Sequence, residues 1–256
     1  MKKNFSSKKS AFSLIELSIV LIIIGLLIAG ITGGASLIKS SELRSIMGEA
    51  RGYAVSVNSF FTQYDQYPGD ASTNVGSSSS SLGDRDNKIE FVNDAATKVA
   101  EGIDAWYDLK DIGAIDLALT TSGTMADPNA LVPVTNIPGS KIKGAGWVFD
   151  YNTAQLQNVV VLTGTSDDWS SATSKDLINT ASPAALTDNL STAIISAPDA
   201  LSIDSKIDDG KANSGNVLAV NQSTVAADQC SATATYTVIN GAKKTCVLTF
   251  RVDVSS

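Results

Sequence analysis

The sequence predicts an α+β protein in which one long N-terminal helix packs on a small antiparallel sheet. Three observations point there. Residues 12–31 are an apolar run with one charge, Glu16, a helical apolar stripe continues beyond them to Tyr64, and the C-terminal end alternates apolar and polar residues at the period of a strand.

At about 1.5 Å rise per residue, the apolar run reaches roughly 30 Å as a helix, the thickness of a bilayer's hydrocarbon core. Past it, Leu43, Ile46, Ala50, Tyr53, Val57, Phe60 and Tyr64 recur at alternating spacings of three and four, and Met47, Ala54 and Phe61 widen the stripe. No proline interrupts the chain between Phe12 and Tyr67, so a single helix is expected, its first half in lipid and its second under a domain. Gly30, Gly33 and Gly34 weaken it, at about 1 kcal/mol each in a helix interior. Pro68-Gly69-Asp70 ends the pattern, and the serine run 77–81 reads as an exposed loop. The expected organisation is a leader at 1–11, a transmembrane half-helix at 12–34, an amphipathic half-helix at 35–66 and a globular head at 67–256.

Within the head, residues 99–112 place Ile103, Trp106 and Leu109 on one side of a short helix, with Gly113 as its C-cap. Residues 147–151 and 158–163 read as a hairpin. Ser196-Ala197-Pro198-Asp199 opens a second short helix that Gly210 closes, and 217–220 is a short strand. At the end, 236–239 and 246–254 flank Asn240-Gly241, a pair suited to a type I′ turn, so a C-terminal hairpin is expected.

Composition narrows the function. The chain has 256 residues, 43% hydrophobic and 18% charged, which suits a folded, loop-rich exported domain. It contains no histidine, which removes the commonest general base and zinc ligand and every Ser-His or Cys-His nucleophile. Net charge is −7, and without Lys2, Lys3, Lys8 and Lys9 the remainder stands at −11, a surface that repels phosphate backbones, so no nucleic-acid partner is expected. Gly144-Ala145-Gly146 precedes a strand rather than a helix and is no phosphate loop. Ser166-Asp167-Asp168 has no base near it in sequence. Trp106, Tyr107, Trp147, Phe149 and Tyr151 fit a core better than a sugar-stacking surface.

The segment Lys8-Lys9-Ser10-Ala11-Phe12-Ser13-Leu14-Ile15-Glu16-Leu17 resembles the cleavage and methylation segment of type IV pilins and type II secretion pseudopilins. That resemblance implies a basic leader removed before Phe12 by a prepilin peptidase, methylation of the new N-terminus, and assembly into a filament with identical or related subunits. Ala11 stands where the family usually has glycine. Glu16 matches the family's glutamate, and a carboxylate inside an apolar span costs on the order of +2.5–3.5 kcal/mol on insertion scales, so a partner is expected. The α-amino group of Phe12 on a neighbouring helix would offset that cost and fix the register between subunits. The plainer reading is that Glu16 snorkels to the interface. A secretory signal ending near Gly30 or Ala35, or a simple signal-anchor, would leave the uninterrupted stripe unexplained.

Behind such an anchor the even pair Cys230 and Cys246 reads as one disulfide. The expected hairpin makes this demanding. With Asn240-Gly241 at its turn, Cys246 faces Thr235 and Cys230 faces Arg251, roughly 16 Å apart along the strands at 3.3 Å rise. A disulfide needs Cα atoms within about 7 Å, so the segment after Cys230 must leave the ladder and fold back. Some pseudopilins bind calcium in a loop, and Asp204, Asp208 and Asp209, with Asp199 nearby, invite that reading. Their spacing departs from a calcium loop, so a solvated acidic helix end is preferred and no metal or other cofactor is expected. The function read from the sequence is a structural subunit, not an enzyme, anchored in the inner membrane with its head in the periplasm. A membrane-anchored binding or adhesin domain is the rival.

Overall fold

The computed structural model describes residues 13–71, 75, 83–91, 101–117, 132–164, 192–221 and 229–253. The expected leader with Ala11 and Phe12, the serine loop 77–81, Val99 and Ala100, residues 166–168 and Val254 lie outside them. The chain divides into two units, Met1–Glu42 and Leu43–Ser256, and helix α1 (Leu14–Tyr64) contributes residues to both.

In the first unit, α1 is apolar and open. Its side chains from Leu14 to Ile38 are exposed or half-exposed, and the helix is long and apolar enough to cross a membrane.

In the second unit, the stripe read from the sequence meets a core. Leu43, Ile46, Ala50, Val57 and Phe60 are buried, while Tyr53, Tyr64, Met47, Ala54 and Phe61 pack half-buried against the same cluster. Asp65 ends the helix at φ 55°, its N–H donating to the Phe61 carbonyl at 2.8 Å. Helix α2 (Glu101–Asp111) follows, stopped by Gly113 at φ 73°, whose N–H reaches the Lys110 carbonyl at 2.9 Å. A left-handed residue past the last turn is glycine's usual place at a helix end.

The sheet has five strands, all antiparallel. Strands β1 (Ala145–Asn152) and β2 (Gln157–Gly164) form the expected hairpin. β3 (Ile195–Ser196) leads into α3 (Ala197–Ile207), where the Ser196 hydroxyl accepts the Asp199 N–H and Pro198 lies in the first turn. β4 (Val217–Asn221) completes the set before the last strand, and among the described residues β5 (Ser231–Ala232) pairs with β6 (Thr235–Tyr236) in a separate two-stranded sheet. Strand β7 (Lys244–Arg251) joins the sheet together. Leu248, Thr249 and Phe250 are flanked by β2 on one edge and β4 on the other, and Cys246 pairs with both Ile195 and Asn221.

This arrangement corrects the C-terminal hairpin. Residues 236–239 do not ladder onto β7. Tyr236 pairs with Ser231, Val238–Asn240 is a 3-10 turn, and Gly241 sits at φ 57° and ψ −125°. The physical reason is occupancy: β2, β3 and β4 already use both edges of β7, and a strand has no third. The disulfide nevertheless forms, Cys230 to Cys246 with Cα atoms 4.8 Å apart, because the chain after Cys230 turns back through the β5–β6 pair and the Thr237 N–H returns to the Cys230 carbonyl.

Aromatic rings fill the space between helices and sheet. Tyr53 meets Trp106 edge-on at 4.8 Å and Trp147 at 5.6 Å, Trp106 stacks tilted on Phe149 at 4.2 Å, and Trp147 contacts Phe250 at 5.6 Å. Such pairs add about 0.5–1.5 kcal/mol each beyond area burial. Trp106, Tyr107, Trp147 and Phe149 are buried, as core residues would be, and Tyr151 is half-buried.

One polar clasp fastens α1 to the approach to β1. The Glu49 carboxylate accepts from the Ser140 hydroxyl at 2.7 Å, the Lys141 N–H at 3.1 Å and the Trp147 indole N–H at 2.9 Å. Glu49→Ala leaves that buried indole without its acceptor, and the expected loss is about 1–3 kcal/mol in chemical denaturation. Replacing Cys230 and Cys246 with alanine should lower stability by about 3 kcal/mol for a closed loop of this length, measured in the same way on the oxidised chain and the variant.

Candidate functional site

The site read from the sequence begins at the N-terminus of α1. Ser13 stands at its start: its carbonyl accepts from Leu17 at 3.2 Å and its hydroxyl from the Ile15 N–H at 3.4 Å. Glu16 reaches back and accepts the Ser13 N–H at 2.9 Å. Serine followed three residues later by glutamate, with this reciprocal bond, is a capping box; it satisfies a donor that the first turn leaves orphaned. The carboxylate also lies at the positive end of the helix dipole. Glu16 therefore has a local partner within its own helix, and it is the one charged residue among 13–38.

Of the acidic residues at the end of α3, Asp209 is exposed and Asp208 half-buried, whereas Asp204 departs from the solvated group expected from the sequence. Asp204 is fully buried, accepting the Tyr236 hydroxyl at 2.8 Å and the Gly210 N–H at 3.2 Å. Burial pushes its carboxyl up, opposed by those two bonds, and burial first, then the bond to Asp204, pushes the Tyr236 hydroxyl up. Asp208 caps the turn, accepting from the N–H groups of Asn216 and Val217. The exposed Asp209 takes the Lys211 N–H and the Ser214 hydroxyl, both at 2.8 Å. Ligand oxygens of the three lie within 4.8 Å of one another, but each carboxylate is spent on closing the 208–217 turn and tying it to β6. Asp199 stays at the α3 N-cap, bonded to Ser196.

A second set of acids was missed in the sequence. Asp70, Asp84 and Glu101 bring carboxylate oxygens within 4.8 Å of one another, as do Asp84, Asp86 and Glu90. Asp70 and Glu101 are buried. Their work is visible in the backbone of residues 84–91, where each N–H donates to a side-chain oxygen. Glu101 takes those of Asp84 and Glu90, Asp70 those of Arg85 and Asn87, Asp84 that of Asp86, and Asp86 that of Lys88. Asn158 takes Ile89 and Asp150 takes Phe91. The signal in the sequence was the alternation Asp84, Asp86 and Glu90 around a chain with no strand pattern, which polar side chains must then satisfy.

Helix α2 buries more charge still. Asp104 and Asp108 lie one turn apart and are 1% and 2% exposed. Asp108 accepts the Gly69 N–H at 2.7 Å. Desolvation raises Asp104 to about 8, with Asp108 adding to it, and raises Asp108 to about 6 against the Gly69 bond, with Asp111 adding. Burial likewise raises Asp70 to about 6 despite the Asn87 and Arg85 bonds, with Asp86 and Asp84 adding. A carboxyl whose pKa is higher in the folded head than in the unfolded chain binds its proton more tightly when folded. That contribution to stability is complete below the unfolded carboxylate range and is lost as pH rises through 6 to 8. The melting temperature should therefore fall between pH 5 and pH 8, and Asp104→Asn should flatten that slope in a pH series of thermal melts.

The first unit thus offers an apolar helix, long enough to cross a membrane, with one carboxylate in its first turn, and the second an α+β fold closed by a disulfide. Comparison with known families makes this more specific: the model for the prokaryotic N-terminal methylation motif matches residues 6–32, the signature of type IV pilins and pseudopilins. The motif supports a type IV pilin-like chain that is a prepilin-peptidase substrate and assembles with other pilin subunits. Neither the curated proteins nor the solved structures yield a match.

Proposed function

We propose that the chain is a pilin, minor pilin or pseudopilin: a structural subunit of a type IV pilus or a type II secretion filament. The observation that carries this reading is the methylation motif at 6–32, which opens the exposed apolar half of α1. The leader 1–11 is cut between Ala11 and Phe12, and the new amino group of Phe12 is methylated. Residues 12–34 hold the subunit in the inner membrane and later pack with other subunits, 35–66 support the head, and 67–256 form the head in the periplasm or on the filament. Glu16 pairs with the Phe12 amino group of a neighbour and sets the register. No catalytic role is assigned to any residue.

Two experiments test this. Intact mass of the mature chain should begin at Phe12 and carry one added methyl group, and a bulky residue in place of Ala11 should leave the precursor uncut. A chain that stays uncut supports the rival anchored binding domain, one cut near Gly30 indicates a secretory signal, and either overturns the pilin reading. For Glu16, charge and cap must be separated. Glu16→Gln keeps a side chain able to close the capping box but removes the charge. Glu16→Gln and Glu16→Ala should both insert into membrane, since the costly carboxylate is gone, and both should assemble poorly by electron microscopy. Normal assembly of Glu16→Gln with loss in Glu16→Ala would assign the residue to the cap alone.

A further inference from the structure

We draw no further inference here: the strongest candidate, the carboxylate cluster of Asp70, Asp84 and Glu101 at the start of α2 with Asp86 and Glu90 beside it, is an acidic cluster whose oxygens bind the 84–91 backbone, and among the described residues no second observation points to an ion there.

Discussion

Both edges of β7 are occupied, and the head is organised by that constraint. β2 and β4 flank its middle, β3 meets its start, and the Cys246 sulfur bonds a segment for which β7 has no edge left. A short chain region excluded from hydrogen-bonded pairing has little to hold it. Here the covalent bond, the β5–β6 pair and the Thr237 bond to the Cys230 carbonyl replace a ladder. The Tyr236 hydroxyl then ties the same region to Asp204 on α3, so the staple and the acidic turn belong to one assembly.

The second theme is that carboxylates stand in for strand partners. Residues 84–91 pair with no strand among the described residues, and their N–H groups need acceptors. Asp70, Glu101, Asp150 and Asn158 supply six of the eight from separate parts of the chain, and Asp84 and Asp86 the other two. Taking such a group out of water disfavours its charge, and desolvation raises Asp70 to about 6. Part of the chain's carboxyl content thus lies inside, where burial favours the protonated form.

What could be read from the sequence follows from range. Helix α1 was legible because its apolar spacing repeats at 3.6 residues over many turns, and α3 because Ser196, Pro198 and Gly210 are local start and stop signals. The β1–β2 hairpin was legible for the same reason. Asn240-Gly241 misled, since turn preference is a property of two residues whereas strand pairing depends on which edges distant strands have already taken. Asp204 misled in the same way: its spacing looks like a solvated helix end, and only Tyr236, far along the chain, shows it to be buried. The capping role of Glu16 was written in Ser13-Leu14-Ile15-Glu16, a local spacing that the sequence reading did not use.

The order of the strands along the chain carries a consequence for folding during synthesis. β7 follows β1, β2, β3 and β4 in sequence yet lies against three of them, so a chain that emerges N-terminus first delivers its organising strand near the end. Until residues 244–251 arrive, β4 has no described strand to pair with, β2 keeps one bare edge, and Cys230 waits for its thiol partner. Contacts of such sequence separation form slowly, and open strand edges invite pairing with other chains. The interval between the first and last strand is thus the period when a newly made chain most needs shielding from its own kind.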